Sequence, residues 1–123
     1  MSTSLEIKDI FWGTPMPILI MLGSQITELR ARGKYSVRIT DPTLFSQQVG
    51  TPEDFSNQFR YVVVKHVTDV FGEVSGSVSD LGALQAQSVE LAGKVQSKLE
   101  SELNTRGMSL STFSFDAIES VGM

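Results

Sequence analysis

Residues 28–49, with the sequence ELRARGKYSVRITDPTLFSQQV, decide how the rest of the chain is arranged. From residue 29 to residue 39 the odd positions are apolar, aromatic or small, and the even positions are polar or basic. A strict period of two indicates an antiparallel strand with one face on a core and the other in water. Asp41 and Pro42 end the strand, because proline donates no ladder hydrogen bond and aspartate favours a turn. The predicted polar face carries four cations: Arg30, Arg32, Lys34 and Arg38.

The composition indicates one folded domain. The chain has 123 residues, enough for one compact domain and few for two. Because 41% of the residues are hydrophobic and 20% are charged, a packed core is expected. The net charge of −4 argues against a protein that binds nucleic acid through bulk charge, and the absence of cysteine excludes disulfides and thiolate metal sites.

Membrane-spanning and secretory segments are not predicted. The longest apolar run, Ile18–Leu22, is far shorter than the roughly 20 residues that cross a bilayer as a helix. The first residues lack the basic and then apolar regions of a secretory signal.

Three further strands are predicted, over residues 5–12, 18–22 and 108–118. The apolar run at 18–22 is expected to be buried on both faces or hidden in an assembly. In the last strand the apolar residues are spaced by two, three, two and three, so a bulge or change of face is expected near Ser111 and Thr112.

Helices are predicted between the third and fourth strands. Thr51 and Pro52 form a strong helix start, and apolar residues follow at helical spacing as far as Phe71. A short helix or turn is expected over 41–49, a short helix near residues 81–84, and a long helix over 85–106, in which Lys98 and Glu102 are spaced as a charge pair. The predicted fold is α+β, with an antiparallel sheet of about four strands and two or three helices on one face.

Catalytic and cofactor motifs are weak. His66 is the single histidine and has Asp69 three residues on, which raises the possibility of a Ser-His-Asp hydrolase. That chemistry needs a strained nucleophile turn and an oxyanion hole, and no Gly-x-Ser-x-Gly is present, so a structural histidine is the better interpretation. The glycines at 72, 76 and 82 lack a phosphate-loop pattern, and no cofactor or metal is predicted. Trp12 is assigned to the core or a strand edge in preference to a membrane interface.

Several phrases occur together in an ordered set: residues 11–15 (FWGTP), 30–36 (RARGKYS) leading to Asp41-Pro42, Gly50-Thr51, and the tail from 103 to 118. With them the chain resembles the stomatin–prohibitin–flotillin (SPFH, Band 7) superfamily over about residues 5–121. It looks closest to the bacterial branch described as virion-core-protein-like.

The resemblance implies a single SPFH domain over 1–123, with a curved antiparallel sheet and helices on one side. It also implies a non-enzymatic role in a homo-oligomeric scaffold at the cytoplasmic face of a membrane. Members usually carry a membrane-targeting segment before the domain and a coiled coil after it, so the chain is expected to be a piece of a longer protein. The family offers no catalytic or cofactor residue to carry over, and nucleic acid is not an expected partner. The chain departs from the family at 18–23, where a more polar strand and turn are expected.

Two interpretations of the polar strand face stay open. Arg30, Arg32, Lys34 and Arg38 could simply be solvated charges, or they could contact anionic lipid or an acidic patch on a neighbouring subunit. A second function class is a module that binds a peptide or ligand at an open sheet edge, which an unpaired edge beside Ile18–Leu22 would favour.

Overall fold

The computed structural model describes residues 5–121, apart from the side chains of Leu5 and Pro52. The α+β class and the antiparallel sheet predicted from the sequence are confirmed. In chain order the elements are β1 (Leu5–Gly13), β2 (Ile18–Leu22), β3 (Gln25–Ile39), α1 (Pro42–Gln48), α2 (Pro52–Val74), α3 (Leu81–Ala86), α4 (Ser88–Asn104) and β4 (Met108–Ser120).

Strand β3 is the centre of the sheet. It pairs with β1 and β2 along one side and with β4 along the other, because Leu29 is opposite Ile18 in one ladder and opposite Ser120 in the other. Thr14 fills the gap between β1 and β2: its amide donates to the Ala31 carbonyl (3.0 Å), and its hydroxyl accepts from the Ala31 amide (3.2 Å). The strand predicted at residues 29–39 therefore pairs with every other strand of the sheet.

The core lies between the odd-numbered face of β3 and the helices α2 and α4. Tyr35 is fully buried and meets Phe55 and Phe59 of α2 at ring-centroid distances of 6.4 and 6.1 Å. Each such side chain contributes roughly 1.5–3 kcal/mol through burial. The predicted start of α2 is also confirmed, since the Thr51 hydroxyl accepts from the Asp54 amide and the Asp54 carboxylate accepts from the Thr51 amide.

An aromatic cluster crosses the sheet at Gly33. Trp12 of β1 and Phe115 of β4 pair with Gly33 from opposite sides, and their rings meet edge to face at 5.5 Å. Phe71 of α2 stacks on Phe115 at 5.8 Å. A Cβ at residue 33 would collide with the Ser114 carbonyl oxygen, so glycine is required there by the close approach of β3 and β4.

The outer edge of β4 is irregular and covered. Register shifts leave Ser111 and Asp116 as extra residues, which confirms the predicted bulge near Ser111 and adds a second one. Helix side chains then bond this edge: Glu100 accepts from the Leu110 amide (2.9 Å), Gln96 donates to the Phe113 carbonyl (3.2 Å), and Gln85 donates to the Ile118 carbonyl (2.7 Å).

The outer edge of β2 is covered by the loop after α2. The Gly23 amide donates to the Val78 carbonyl (2.8 Å), and the Gly76 amide donates to the Met21 carbonyl (2.9 Å). The Ser75 hydroxyl accepts from the Met21 amide (2.8 Å). By contrast, the outer edge of β1 has no ladder partner within residues 5–121.

Ile18–Leu22 is not buried on both faces within this chain, so that alternative is wrong, and the other alternative, that the run is hidden in an assembly, stays a prediction. Ile18, Ile20 and Leu22 face the core, but Leu19 is 63% exposed on the other face. The run looks fully buried in sequence because apolar residues occupy both faces of this short strand.

Candidate functional site: the outer face of the sheet

The structure places all four predicted cations on one surface, the face of β3 opposite the helices. Arg30, Arg32, Lys34 and Arg38 are exposed, and the odd-numbered residues between them from 29 to 39 are buried. The alternation in the sequence therefore gives the correct face for each cation. We call this surface the outer face.

Carboxylates on the neighbouring strands partly balance these charges. Glu119 of β4 is opposite Arg30 and forms an ion pair with Arg32, whose nitrogen lies 4.0 Å from the carboxylate oxygen. The two side chains of that pair are 70% and 64% exposed, so the pair contributes about 0–1 kcal/mol and leaves both groups free to contact a partner.

The remaining two cations differ in their cross-strand neighbours. Arg38 has Glu6 opposite it on β1. Lys34 has Phe11 on one side and Ser114 on the other, and thus no carboxylate directly opposite within the described ladders. The outer face is consequently a mixed surface with an excess of cations along β3.

Apolar side chains extend the outer face at the β2–β3 hairpin. Ile26 is 73% exposed and pairs with Met21, while Leu19 pairs with Glu28. This patch is not predicted from the sequence, because the apolar run of β2 is expected there to be buried on both faces or hidden in an assembly. The feature that could have predicted the patch is the register of the β2–β3 hairpin. It places the side chains of Ile18 and Ile20 toward the core and those of Leu19 and Met21 on the opposite face.

Two surface depressions lie near these strands, one beside Arg30 and Arg32 and the other outside β1, where it reaches α2. One of about 280 Å³ lies beside Arg30 and Arg32 and is also lined by Thr14 and Glu119. Its lining mixes charged side chains with a similar amount of apolar surface, so it lacks the predominantly apolar walls of a small-molecule pocket.

The second depression is apolar and lies outside β1. Phe11, which is 70% exposed, forms one wall, whereas Trp12 is only 4% exposed. The assignment of Trp12 to the core is therefore confirmed.

His66 does not lie in a catalytic arrangement. Its Nδ1 is 3.9 Å from an Asp69 oxygen and its Nε2 is 3.5 Å from a Glu102 oxygen, across the α2–α4 contact. Neither ring nitrogen has a hydrogen-bond partner among the described residues, so no hydroxyl is aligned for activation. The interpretation of His66 as a structural residue agrees with this position between two helices.

Ligands for a metal are not assembled within the described part of the chain. No group of three or more histidine and carboxylate side chains comes together there.

The outer edge of Ile18–Leu22 is not unpaired, as a peptide- or ligand-binding module at this edge would require. Its backbone groups at Met21 and Gly23 are already bonded to residues 75–78. The alternative function predicted from the sequence therefore loses support at that position.

Comparison with protein-family models identifies the family of this chain. The family model described as SPFH domain-Band 7 family matches residues 1–122, nearly the whole chain. This chain belongs to the SPFH domain-Band 7 family. A search of curated proteins finds no match. SPFH domains are generally non-catalytic, and the family is commonly membrane-associated. Within the described residues, no helix is long and apolar enough to cross a bilayer.

Proposed function

We propose that this SPFH domain is a non-enzymatic assembly module of a membrane-associated, homo-oligomeric scaffold, and that the outer face is its contact surface. The observation that carries the proposal is the outer face itself, where exposed cations on β3 continue into the exposed apolar patch of the β2–β3 hairpin. Exposed apolar patches next to charged residues mark contact sites on soluble domains.

Two contacts fit this surface: anionic lipid headgroups and an acidic patch on a neighbouring subunit. Near an anionic membrane each cation adds about 1 kcal/mol to binding, and the attraction weakens as salt increases. Segments outside this chain would supply the main membrane attachment, on the cytoplasmic side. The ordered phrases described above further favour the virion-core-protein-like branch.

Liposome co-sedimentation tests the lipid contact. We expect the chain to sediment with vesicles that contain phosphatidylserine and not with neutral phosphatidylcholine vesicles. We expect the variant Arg30→Gln/Arg32→Gln/Lys34→Gln/Arg38→Gln to stay in the supernatant. For a matched control, the double variant Arg30→Gln/Lys34→Gln is compared with Lys65→Gln/Lys94→Gln, which removes two exposed helix cations. Unchanged sedimentation of the quadruple variant would exclude the lipid contact.

Light scattering tests the subunit contact. The full product of the gene is expected to form oligomers, and the quadruple variant is expected to form smaller ones if the outer face joins subunits. A strict monomer that also fails to sediment with any vesicle would contradict the scaffold role.

A further inference from the structure

The sheet has one edge that nothing covers within the described residues. The edge of β4 is occupied by helix side chains, and that of β2 by the loop at 75–78. In β1, Asp9 has a positive φ of 52° and interrupts the ladder, so the regular open part is residues 10–13. A row of free backbone groups on an edge strand is a template for another strand.

A groove runs beside this open edge. Phe11 and Pro15 line it from the β1 side, and Arg60, Tyr61 and Val64 line it from α2. Its volume is about 390 Å³, within the range of ligand pockets, and Tyr61 is 74% exposed. Two large aromatic side chains, Phe11 and Tyr61, therefore flank residues 10–13, whose outward-facing backbone groups have no partner strand among the described residues.

The charges around the groove are positive although the chain as a whole carries −4. Residues 57–66 of α2 contain Arg60 and Lys65 and no carboxylate. Lys34 is directly opposite Phe11 in the ladder, while the nearest carboxylate along β1 is Asp9, within the bulge. An occupant with carboxylates would complement this surface.

We propose that residues 10–13 of β1 bind an extended, acidic and apolar peptide segment of another protein, which adds to the sheet as a strand. An apolar side chain of the peptide lies between Phe11 and Tyr61, and a carboxylate faces Arg60. A second copy of this chain fits less well, because pairing of two β1 edges would bring the same cations together, and the bulged, bonded edge of β4 cannot accept β1. The inference does not depend on the scaffold role.

Peptide selection provides the first test. Random decapeptides displayed on phage are selected on the wild-type chain, with the variant Arg60→Gln/Tyr61→Ala used for counter-selection. We expect a consensus that alternates apolar residues and contains at least one Asp or Glu. Failure to enrich any such consensus would overturn the proposal.

Binding of the synthetic consensus peptide provides the second test. Trp12 is the single tryptophan and borders the groove, so its fluorescence reports binding there. We expect Arg60→Gln and Tyr61→Ala each to weaken binding by about fivefold or more. The controls Val89→Ala and Lys94→Gln, at exposed positions on α4, are expected to bind like wild type.

Amide chemical shifts locate the peptide. Perturbation centred on residues 10–13 supports strand addition at β1, whereas perturbation centred on β4 or on the β2–β3 hairpin refutes it. Light scattering tests whether a second copy of this chain occupies the β1 edge instead. A dimer that excludes the peptide and dissociates in Arg60→Gln/Tyr61→Ala would show such a self-contact and overturn the proposal.

Discussion

The outer edges of β4 and β1 differ in whether other parts of the chain bond to their backbone. Along β4, Gln85, Gln96 and Glu100 reach from α3 and α4 to bond the strand's backbone, and two bulges break its regularity. Along β1, α2 presents Arg60 and Tyr61 beside the open strand and, among the described residues, supplies no hydrogen bond to its backbone. An exposed edge invites pairing with other chains, and bulges and covering side chains prevent it. The difference indicates that β4 closes the fold, whereas β1 is kept available.

Gly33 of β3 lies between the two edge strands, where it pairs with Trp12 of β1 and Phe115 of β4. Its replacement should therefore have the largest effect on stability. A Cβ in Gly33→Ala would collide with the Ser114 carbonyl oxygen and approach the Trp12 indole nitrogen at 3.0 Å. We expect β4 to be displaced from β3 and the free energy of unfolding to fall by about 3 kcal/mol or more. Urea denaturation measures this loss. Gly93→Ala, with open space around its Cβ on α4, is the control and should not destabilise the chain.

Removing the helix side chains that cover β4 should make its edge resemble that of β1. For Gln85→Ala/Gln96→Ala/Glu100→Ala we expect a loss of about 2 kcal/mol, since each of three partly buried hydrogen bonds contributes about 0.5–1.5 kcal/mol. The newly open edge should also cause self-association that increases with protein concentration. Sedimentation velocity would detect it, and a variant that stays monomeric would show that the bulges alone protect β4.

The end of α4 should stabilise the fold in a pH-dependent way, because Glu102 pairs there with Arg106 four residues on and also lies near His66 of α2. The hydrogen bond from Arg106 holds the pKa of Glu102 below its ordinary value, and His66 Nε2 lies 3.5 Å from the same carboxylate. A lowered carboxyl pKa stabilises the fold above the unfolded-state pKa of about 4.3, and that stabilisation is lost as pH falls through the folded-state value.

Glu102→Gln isolates this effect. We expect wild type to be more stable than Glu102→Gln at neutral pH and the two to converge below about pH 4. Denaturation curves across this pH range provide the measurement. A difference that is the same at every pH would show that the charge of Glu102 does not contribute to the stability of the fold.

The smallest expected effect is at Tyr35, beneath α2 on the central strand. Its hydroxyl is buried with no hydrogen-bond partner among the described residues, and burial raises the pKa of Tyr35 above its ordinary value. Tyr35→Phe should therefore leave stability unchanged or increase it by up to about 1 kcal/mol. Because the raised pKa makes wild type lose stability once the unfolded chain ionises above about pH 10, the variant should resist alkali better. A clear loss of stability at neutral pH would mean that the hydroxyl has a partner.

The sequence predicts the strands and helices well because periodicity and capping are local signals. The alternation in β3, the Thr51 cap and the irregular spacing near Ser111 all correspond to observed features. Partners distant in sequence are harder to predict. Lys98 bonds Glu73 of α2 at 3.2 Å and not Glu102, because the antiparallel packing of α2 and α4 brings Glu73 closer.

The candidate site was predicted only in part for the same reason. Period two is enough to place Arg30 and Lys34 on one face, since a strand has only two faces. The exposed position of Leu19 depends on hairpin register, and the groove at Tyr61 depends on where α2 lies relative to β1. Neither relation is encoded in a short window of sequence.

The central position of β3 also matters while the protein is being synthesised. β3 is complete at residue 39, yet the strand that covers its second side begins only at residue 108. On the ribosome, the β1–β3 segment must therefore wait with one side of its central strand unpaired until most of the chain has emerged. Such long-range pairing slows folding and exposes strand edges to other nascent chains. Slower translation between these two strands would lengthen that vulnerable interval.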